Sequence, residues 1–282
     1  MSLTPSQFAW IAEMVERAAA IVLAPGKEYL VESRLRRLAT QAGFDSIDAL
    51  VLAAQRNSPP SLRHELVQAM TVNETSWFRD RDPFAALTDV ALPEIVRDTP
   101  RGPLRIWSAA CSSGQEAYSV AILLDKAGMS GRGYEILATD LSEEMVTKTR
   151  EGRYNQLEVN RGLPASDLVT YFERQGAEWR VNDRLRSHVT TRRLNLAEAL
   201  PPMQKFDVVF LRNVLIYFNL DTKRAVLNRI RQALKPGGWL LLGAAETTVG
   251  IDADFERVPA GRTAIYRVPA GSRQPVKEVT PC

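Results

Sequence analysis

The sequence predicts an α/β protein, with a helical N-terminal domain followed by a mostly parallel sheet that carries a small antiparallel β-insertion. Three observations carry this expectation. Apolar residues recur at helical spacing through the first 70 or so residues. From Leu104 onward, short β-rich runs alternate with helical ones, which is the texture of βαβ units. Between about Gly152 and Ser187 the alternation gives way to short strand-like pieces separated by turn residues. At 282 residues and 45% hydrophobic, the chain can bury one large core and a second, smaller one.

Phe8, Ile11, Val15, Ala18 and Val22 mark the first helix, and Val31, Leu35 and Leu38 mark the second. "SIDALVLAAQ" and "LRHELVQAM" continue the helical pattern. The strands expected of the sheet are "LRIWSA", "GYEILATD", "HVTTRRLNL", "KFDVVFLRN", "GGWLLLGAAE" and "TAIYRV". In the insertion, two or three strands are expected, joined by turns at Gly176 and at Asn182-Asp183. The resulting division is a helical domain over 1–75, a sheet domain over 76–268 with its insertion at about 152–188, and a disordered tail over 269–282.

Composition narrows the function. Lys plus Arg number 36 against 33 Asp plus Glu, a modest excess that falls short of a dedicated nucleic-acid binder. Glu13, Glu16 and Arg17 interrupt the N-terminal apolar pattern, so it reads as neither a signal peptide nor a membrane span, and a cytoplasmic protein is expected. Cys111, Cys282, His64 and His188 are the only residues of their types, which argues against a disulfide framework and against a metal site.

The chemistry concentrates in four stretches. "RIWSAACSSGQE" runs from the first strand into a helix through small residues, where backbone can approach a ligand closely. It contains neither GxGxxG nor GxxxxGK[ST], so a pyrophosphate cradle has no support. Glu116 instead suits a cationic α-ammonium group, although an ordinary first-turn helix acid would look the same. Asp140 closes the second strand about 25 residues after Gly114, where a Rossmann-like fold places the acid that binds a ribose diol. An ammonium, a ribose and no phosphate together describe S-adenosylmethionine. In "DVVFLRNVLIYF" a buried central strand opens onto Arg212 and Asn213, with Tyr217 just beyond. The fourth stretch, "MTVNETSWFRDRDPF", lies at the domain junction and mixes Asn73, Thr75 and Arg79 with Trp77 and Phe78. It is either a ligand segment or a staple between domains.

"NETSWFRDRDPF", "WSAACSSGQEAYSVAILL", "ATDLS", "FLRNVLIYF" and "LKPGGWLLLGAAE" resemble, in order and spacing, the CheR family of chemotaxis receptor glutamate O-methyltransferases. The resemblance covers about residues 8 to 268. It implies a Rossmann-like class I methyltransferase sheet of seven strands, an N-terminal helical domain and an inserted β-subdomain. It also implies that Asn73, Thr75 and Arg79 reach the cofactor from the junction, that Glu116 holds its ammonium group and Asp140 its ribose. Asn195 and Leu196 would stand by the adenine, Arg212 and Asn213 at the cleft floor, and Tyr217 near the methyl group. Gln115 departs from the many relatives that carry a second glutamate before the acid.

On this reading the nucleophile is a glutamate carboxylate, already ionised at neutral pH, so no general base is needed and the absence of a catalytic histidine is expected. Arg79 and Tyr217 are expected to orient the substrate. Lys27, Arg34 and Arg37 fall within an arc of about 80° on a helix, a basic ridge that would meet the acidic cytoplasmic segment of a chemoreceptor. The short connection in "FERQGAEWRV" favours recognition without a tether to the receptor's terminal peptide. A nucleic-acid methyltransferase and a non-catalytic S-adenosylmethionine sensor are the competing classes. The first lacks an Asn/Asp-Pro-Pro-Tyr motif here, and the second does not account for an intact set of site residues.

Overall fold

The computed structural model describes residues 3–99 and 101–271. Four helices open the chain: α1 (Pro5–Ala19), α2 (Glu28–Gln41), α3 (Ile47–Gln55) and α4 (Leu62–Met70). Thr4 starts α1 with a capping box. Its hydroxyl accepts from the Gln7 amide while the Gln7 side chain accepts from the Thr4 amide, so two backbone donors at the helix end are satisfied. Ile11, Val15, Val31, Leu35, Leu50 and Leu66 are among the buried side chains that meet in this bundle's own core, against which Leu141 of the sheet domain also packs. Val22, counted in the helical pattern, lies beyond α1, which ends where Ala20 turns left-handed at φ 56°. Lys27 likewise lies outside α2. The Pro25-Gly26 pair precedes it, with Gly26 at φ 87°, so the helix begins only at Glu28.

Past the junction, α5 (Asp82–Ala86) runs through a π-helical turn (Leu87–Ala91) into α6 (Leu92–Asp98). Then follow β1 (Leu104–Ala109), α7 (Gln115–Lys126), β2 (Tyr134–Asp140) and α8 (Glu143–Glu151). The insertion contributes β3 (Arg153–Asn155), α9 (Gln156–Val159), α10 (Ala165–Tyr171), β4 (Phe172–Gln175), β5 (Glu178–Val181) and α11 (Asp183–Arg186). The chain returns to the main sheet with β6 (Val189–Arg193) and β7 (Phe206–Leu211), and closes with α12 (Leu220–Ala233), β8 (Leu234–Leu242), β9 (Glu256–Ala260) and β10 (Thr263–Arg267).

The main sheet has seven strands in the order β6-β2-β1-β7-β8-β10-β9, parallel from β6 through β8, with β10 antiparallel to both of its neighbours. Every residue of β7 is buried, as its unbroken apolar run predicts for a central strand. Strand order reverses between β1 and β7, and in open α/β sheets the ligand crevice lies outside the strand ends at that point. Sequence reading missed β9, "ERVPA". Pro259 argues against a central strand, but β9 is an edge strand, where a missing N–H costs the ladder nothing.

The insertion is a three-stranded antiparallel sheet in the order β3-β5-β4. Gly176 makes the β4–β5 turn at φ 65°. Asn182-Asp183 does not make a strand turn. The Asn182 side chain accepts from the Leu185 amide at 2.9 Å and caps α11 instead. Residues 272–282, most of the expected tail, lie outside the described residues.

Candidate functional site

The loop after β1 is built to approach a ligand. Ala110 and Ser112 are left-handed at φ 65° and 50°, and Gly114 follows at 94°. Such backbone costs on the order of 1 kcal/mol or more at each non-glycine residue, so it needs support. The Ser112 amide donates to Asp140 Oδ2 at 2.8 Å, the Cys111 amide to the Thr139 carbonyl at 2.8 Å, and the Tyr154 hydroxyl to the Ser113 carbonyl at 2.8 Å. Gly114 is required twice over, because a Cβ there would also lie 2.8 Å from the Thr149 side chain.

Two carboxylates share one guanidinium behind this loop. Glu116, in the first turn of α7, accepts from Ser108 Oγ at 2.7 Å on one oxygen and from Arg212 Nη1 at 3.1 Å on the other. Arg212 leaves β7 buried at 5% exposure and lies over the Phe84 ring. Its Nη2 donates to Asp80 Oδ2 at 2.9 Å and to the Arg79 carbonyl at 2.6 Å. Glu116 and Asp80 thus exceed Arg212 by one negative charge, a deficit that a cationic ligand group would fill. Burial pushes the Glu116 pKa up, against the opposing pull of Arg212 and Ser108. Asp140 is also pushed up by burial, against hydrogen bonds from the Ser142 and Ser112 amides.

The junction closes the site from the other side. Ser112 Oγ donates to the Asn73 carbonyl at 2.7 Å. Trp77, 1% exposed, packs edge-on against Tyr154 and Phe172, and its Nε1 donates to the Glu158 carbonyl. The Trp77 amide meets the Arg161 carbonyl at 3.0 Å, and Arg161 pairs with Glu74. That pair is half exposed and contributes at most about 1 kcal/mol, whereas burying a large aromatic side chain contributes roughly 2 kcal/mol or more. The ring is therefore the staple, and it holds the junction to the insertion. The Arg79 side chain, by contrast, donates among the described residues only to the Glu74 carbonyl, at 2.9 Å, leaving most of its donors to a ligand.

Beyond β7, Asn213 is left-handed at φ 57°, and a 3-10 turn (Leu215–Tyr217) carries Tyr217 back towards α1. The Tyr217 carbonyl accepts from the Val22 amide at 2.9 Å, and its phenol is pushed up by burial while Arg34 and Arg79 pull it down. Of the eight non-glycine residues with positive φ among the described residues, Ala110, Ser112 and Asn213 line one cavity, and Phe78, Asp80 and Arg81 belong to the junction segment whose Arg79 lines it.

All ten expected cofactor and catalytic residues line that cavity: Asn73, Thr75 and Arg79 from the junction, Glu116 from α7, Asp140 from β2, Asn195 and Leu196 after β6, and Arg212, Asn213 and Tyr217 after β7. Asn195 Nδ2 donates to the Ala18 carbonyl at 3.0 Å, so the helical domain completes this wall, with Ala19 and Ile21 beside it. Lys27, Arg34 and Arg37 are not lining residues. Lys27 precedes α2, and Arg34 is no free ridge cation. It is half-buried, with Nη1 donating to the Met70 carbonyl at 2.7 Å, so of the three Arg37 alone is an exposed cation on the helix itself, with Lys27 exposed ahead of it. Sequence reasoning took Ser112 only as a small residue of the loop and passed over Ser108, which bonds Glu116, Asp80, whose partner Arg212 is distant in sequence, and Glu246, which is taken up below.

An acid-rich pocket at the switch point, a second acid at the end of β2, no phosphate loop and this strand order define a class, the S-adenosylmethionine-dependent methyltransferases. Comparison with known proteins narrows it. Residues 73–264 match the family model described as CheR methyltransferase, SAM binding domain, and residues 6–71 match CheR methyltransferase, all-alpha domain. The chain is 42% identical to chemotaxis protein methyltransferase Cher2 of Pseudomonas putida, over 95% of this chain and 99% of that one. It is also 42% identical to chemotaxis protein methyltransferase 1 of Pseudomonas aeruginosa, with the same coverage. The chemotaxis protein methyltransferase of Salmonella typhimurium is 31% identical over 90% of this chain and 88% of its own. The chain belongs to the CheR methyltransferase family, and its cofactor is S-adenosylmethionine. Among the described residues, no helix is long and apolar enough to cross a membrane, and no group of three or more metal-ligating side chains forms.

Proposed function

We propose that this protein esterifies glutamate side chains on the cytoplasmic segment of a chemoreceptor, acting in the cytoplasm. The observation that carries the reading is the pairing, in one cavity, of an acid-rich end at Glu116 with a reacting end that offers Tyr217 and Arg79 but no histidine. His64 is exposed on α4 and His188 is stacked on Tyr134. A nucleophile that must lose a proton would be poorly served here, whereas a glutamate with an ordinary pKa of about 4.3 arrives ionised. S-adenosylmethionine supplies an activated methyl group: the ester C–O bond forms as the methyl–sulfur bond breaks, and that electron pair stays on sulfur.

What the protein provides is placement. Glu116 holds the ammonium end while Asp80 takes the other side of Arg212, and Asp140 accepts the ribose hydroxyls on lone pairs left by its two amide bonds. Asn195 and Leu196 flank the adenine, and Asn73, Thr75, Arg212 and Asn213 close the remaining walls. Arg79 and Tyr217 orient the incoming carboxylate to within about 3 Å of the methyl carbon, an arrangement for which intramolecular models give roughly 7–11 kcal/mol. A strong salt bridge from Arg79 would blunt the nucleophile, so its contact is a weak one. The exposed Arg37, with Lys27 and the half-buried Arg34, supports docking of an acidic helix. The two-residue β4–β5 turn supports docking without a tether.

The test is transfer of labelled methyl from S-adenosylmethionine to a purified receptor cytoplasmic fragment, followed by mild alkali. Label released as methanol is the expected result. Alkali-stable label, or label entering nucleic acid instead, would overturn the reading.

A further inference from the structure

Four backbone amides converge on one side chain at the edge of the site. Glu246 Oε2 accepts from the Asn213 amide at 2.7 Å and the Gly243 amide at 2.9 Å. Oε1 accepts from the Val214 amide at 3.0 Å and the Leu215 amide at 2.7 Å. Asn213, Val214 and Leu215 are consecutive, and the left-handed turn at Asn213 aims their amides at a single point. Successive amides in such a turn form an anion-binding concavity, which here is filled by the chain's own carboxylate. A charged acceptor also bonds these amides more strongly than a neutral one.

The surroundings are shaped for this contact. β7 and β8 are adjacent parallel strands, with Leu211 beside Leu242, so both chain ends leave the sheet together and Glu246 bridges them. A Cβ at Gly243 would lie 2.7 Å from Glu246 Oε2 and 2.8 Å from Asn213 Nδ2, so only glycine leaves room for the bridge. The Glu246 amide closes its own turn on the Gly243 carbonyl at 2.9 Å. Tyr217 sits two residues past the last clamped amide, and its amide bonds back to the Val214 carbonyl at 3.2 Å.

We infer that Glu246 is a positioning residue of the methyl-transfer site, holding the Asn213–Leu215 backbone so that the following turn presents Tyr217 to the substrate. The inference rests on the role proposed for Tyr217 above. Glutamine at 246 keeps the size but turns an NH2 group towards two amide donors, so the bridge loses its charge and about half its bonds.

The test is a double-mutant cycle in the full-length enzyme with receptor fragment as substrate, measuring kcat, KM, the affinity for S-adenosylhomocysteine and Tm. Glu246→Gln is expected to lower kcat on the order of tenfold or more, while affinity for S-adenosylhomocysteine changes by no more than about threefold. In a Tyr217→Phe background the same substitution should cost less than about threefold, because the hydroxyl it positions is gone. Full, additive losses in an impaired Tyr217→Phe enzyme would make Glu246 merely structural and overturn the inference alone. Normal turnover in Tyr217→Phe by itself would sink the role of Tyr217 and the inference with it. Should Glu246→Gln not fold, Gly243→Ala displaces the same carboxylate oxygen and must give the same non-additive pattern.

Discussion

Glu116 holds its proton to higher pH than a free carboxyl because it is buried beneath the cofactor cavity, and Asp140 does the same. The folded state therefore binds these protons more tightly than the unfolded chain, so both acids cost stability at neutral pH, and that cost is relieved as pH falls. Cofactor binding runs the other way. A proton and an ammonium group compete for Glu116, so affinity for S-adenosylhomocysteine should drop on acidification at a higher pH than a free glutamate would set. Glu116→Gln is expected to weaken binding by about tenfold to a hundredfold, the loss of a charge-assisted bond, and to flatten that acid limb, with Asp140 supplying what remains. Calorimetric titration of both proteins between weakly acidic and neutral pH checks it. An unchanged limb would remove Glu116 from the ammonium end. The place of both acids at the cavity was legible in the sequence, because Asp140 ends a strand and Glu116 opens a helix, and such positions are local. Asp80 and Glu246 were not, since the Arg212 that Asp80 meets and three of the four amides that Glu246 gathers lie more than 30 residues away.

At the scale of elements, the insertion supports the junction as well as presenting a surface of its own. The contact is closest at Gly162, where an added Cβ would lie 2.4 Å from the Trp77 carbonyl in a backbone already at φ 100°. Gly162→Ala must therefore push the junction away from the insertion and shift Asn73, Thr75 and Arg79. We expect a loss of about 1–3 kcal/mol in stability, together with weaker cofactor binding. Gly176→Ala in the β4–β5 turn is the control. It carries a similar left-handed penalty but meets nothing within 4 Å, so cofactor affinity should hold. Equal cofactor affinity in the two variants would uncouple the insertion from the site. The Trp77-Phe78 pair drew two readings from sequence, and both describe this segment: the rings staple while the polar neighbours face the cavity.

Across the whole molecule, a net charge of +3 is too small to steer association by itself, so any steering towards an acidic receptor rests on local cations. Arg37 is the exposed arginine of the three residues expected on the ridge, while Arg34 is committed to the Met70 carbonyl. Arg37→Glu should raise KM for receptor several-fold at low ionic strength, leave kcat unchanged, and lose most of its effect near 1 M salt, where the Debye length is about 3 Å. Rates measured across a salt series decide it, and a salt-independent defect would point to folding. The helical domain also contributes beyond docking, since Ala19, Ile21 and the Ala18 carbonyl bear on the cofactor cavity or its Asn195 wall.

The sequence by itself determined the helical bundle, the parallel sheet and the strand- and helix-end positions of Glu116, Asp140, Arg212 and Asn213, because periodicity and strand-end position are local properties that neighbouring residues already express, whereas Asn195 and Leu196 were expected only from the family resemblance. Tertiary structure alone decided that Arg212 divides its charge between Glu116 and Asp80, that Glu246 gathers four amides, that Arg34 is tied down, and that an edge strand tolerates Pro259. Each of these depends on which distant segments the fold brings within a few ångströms, and a sum of local preferences does not contain that distance.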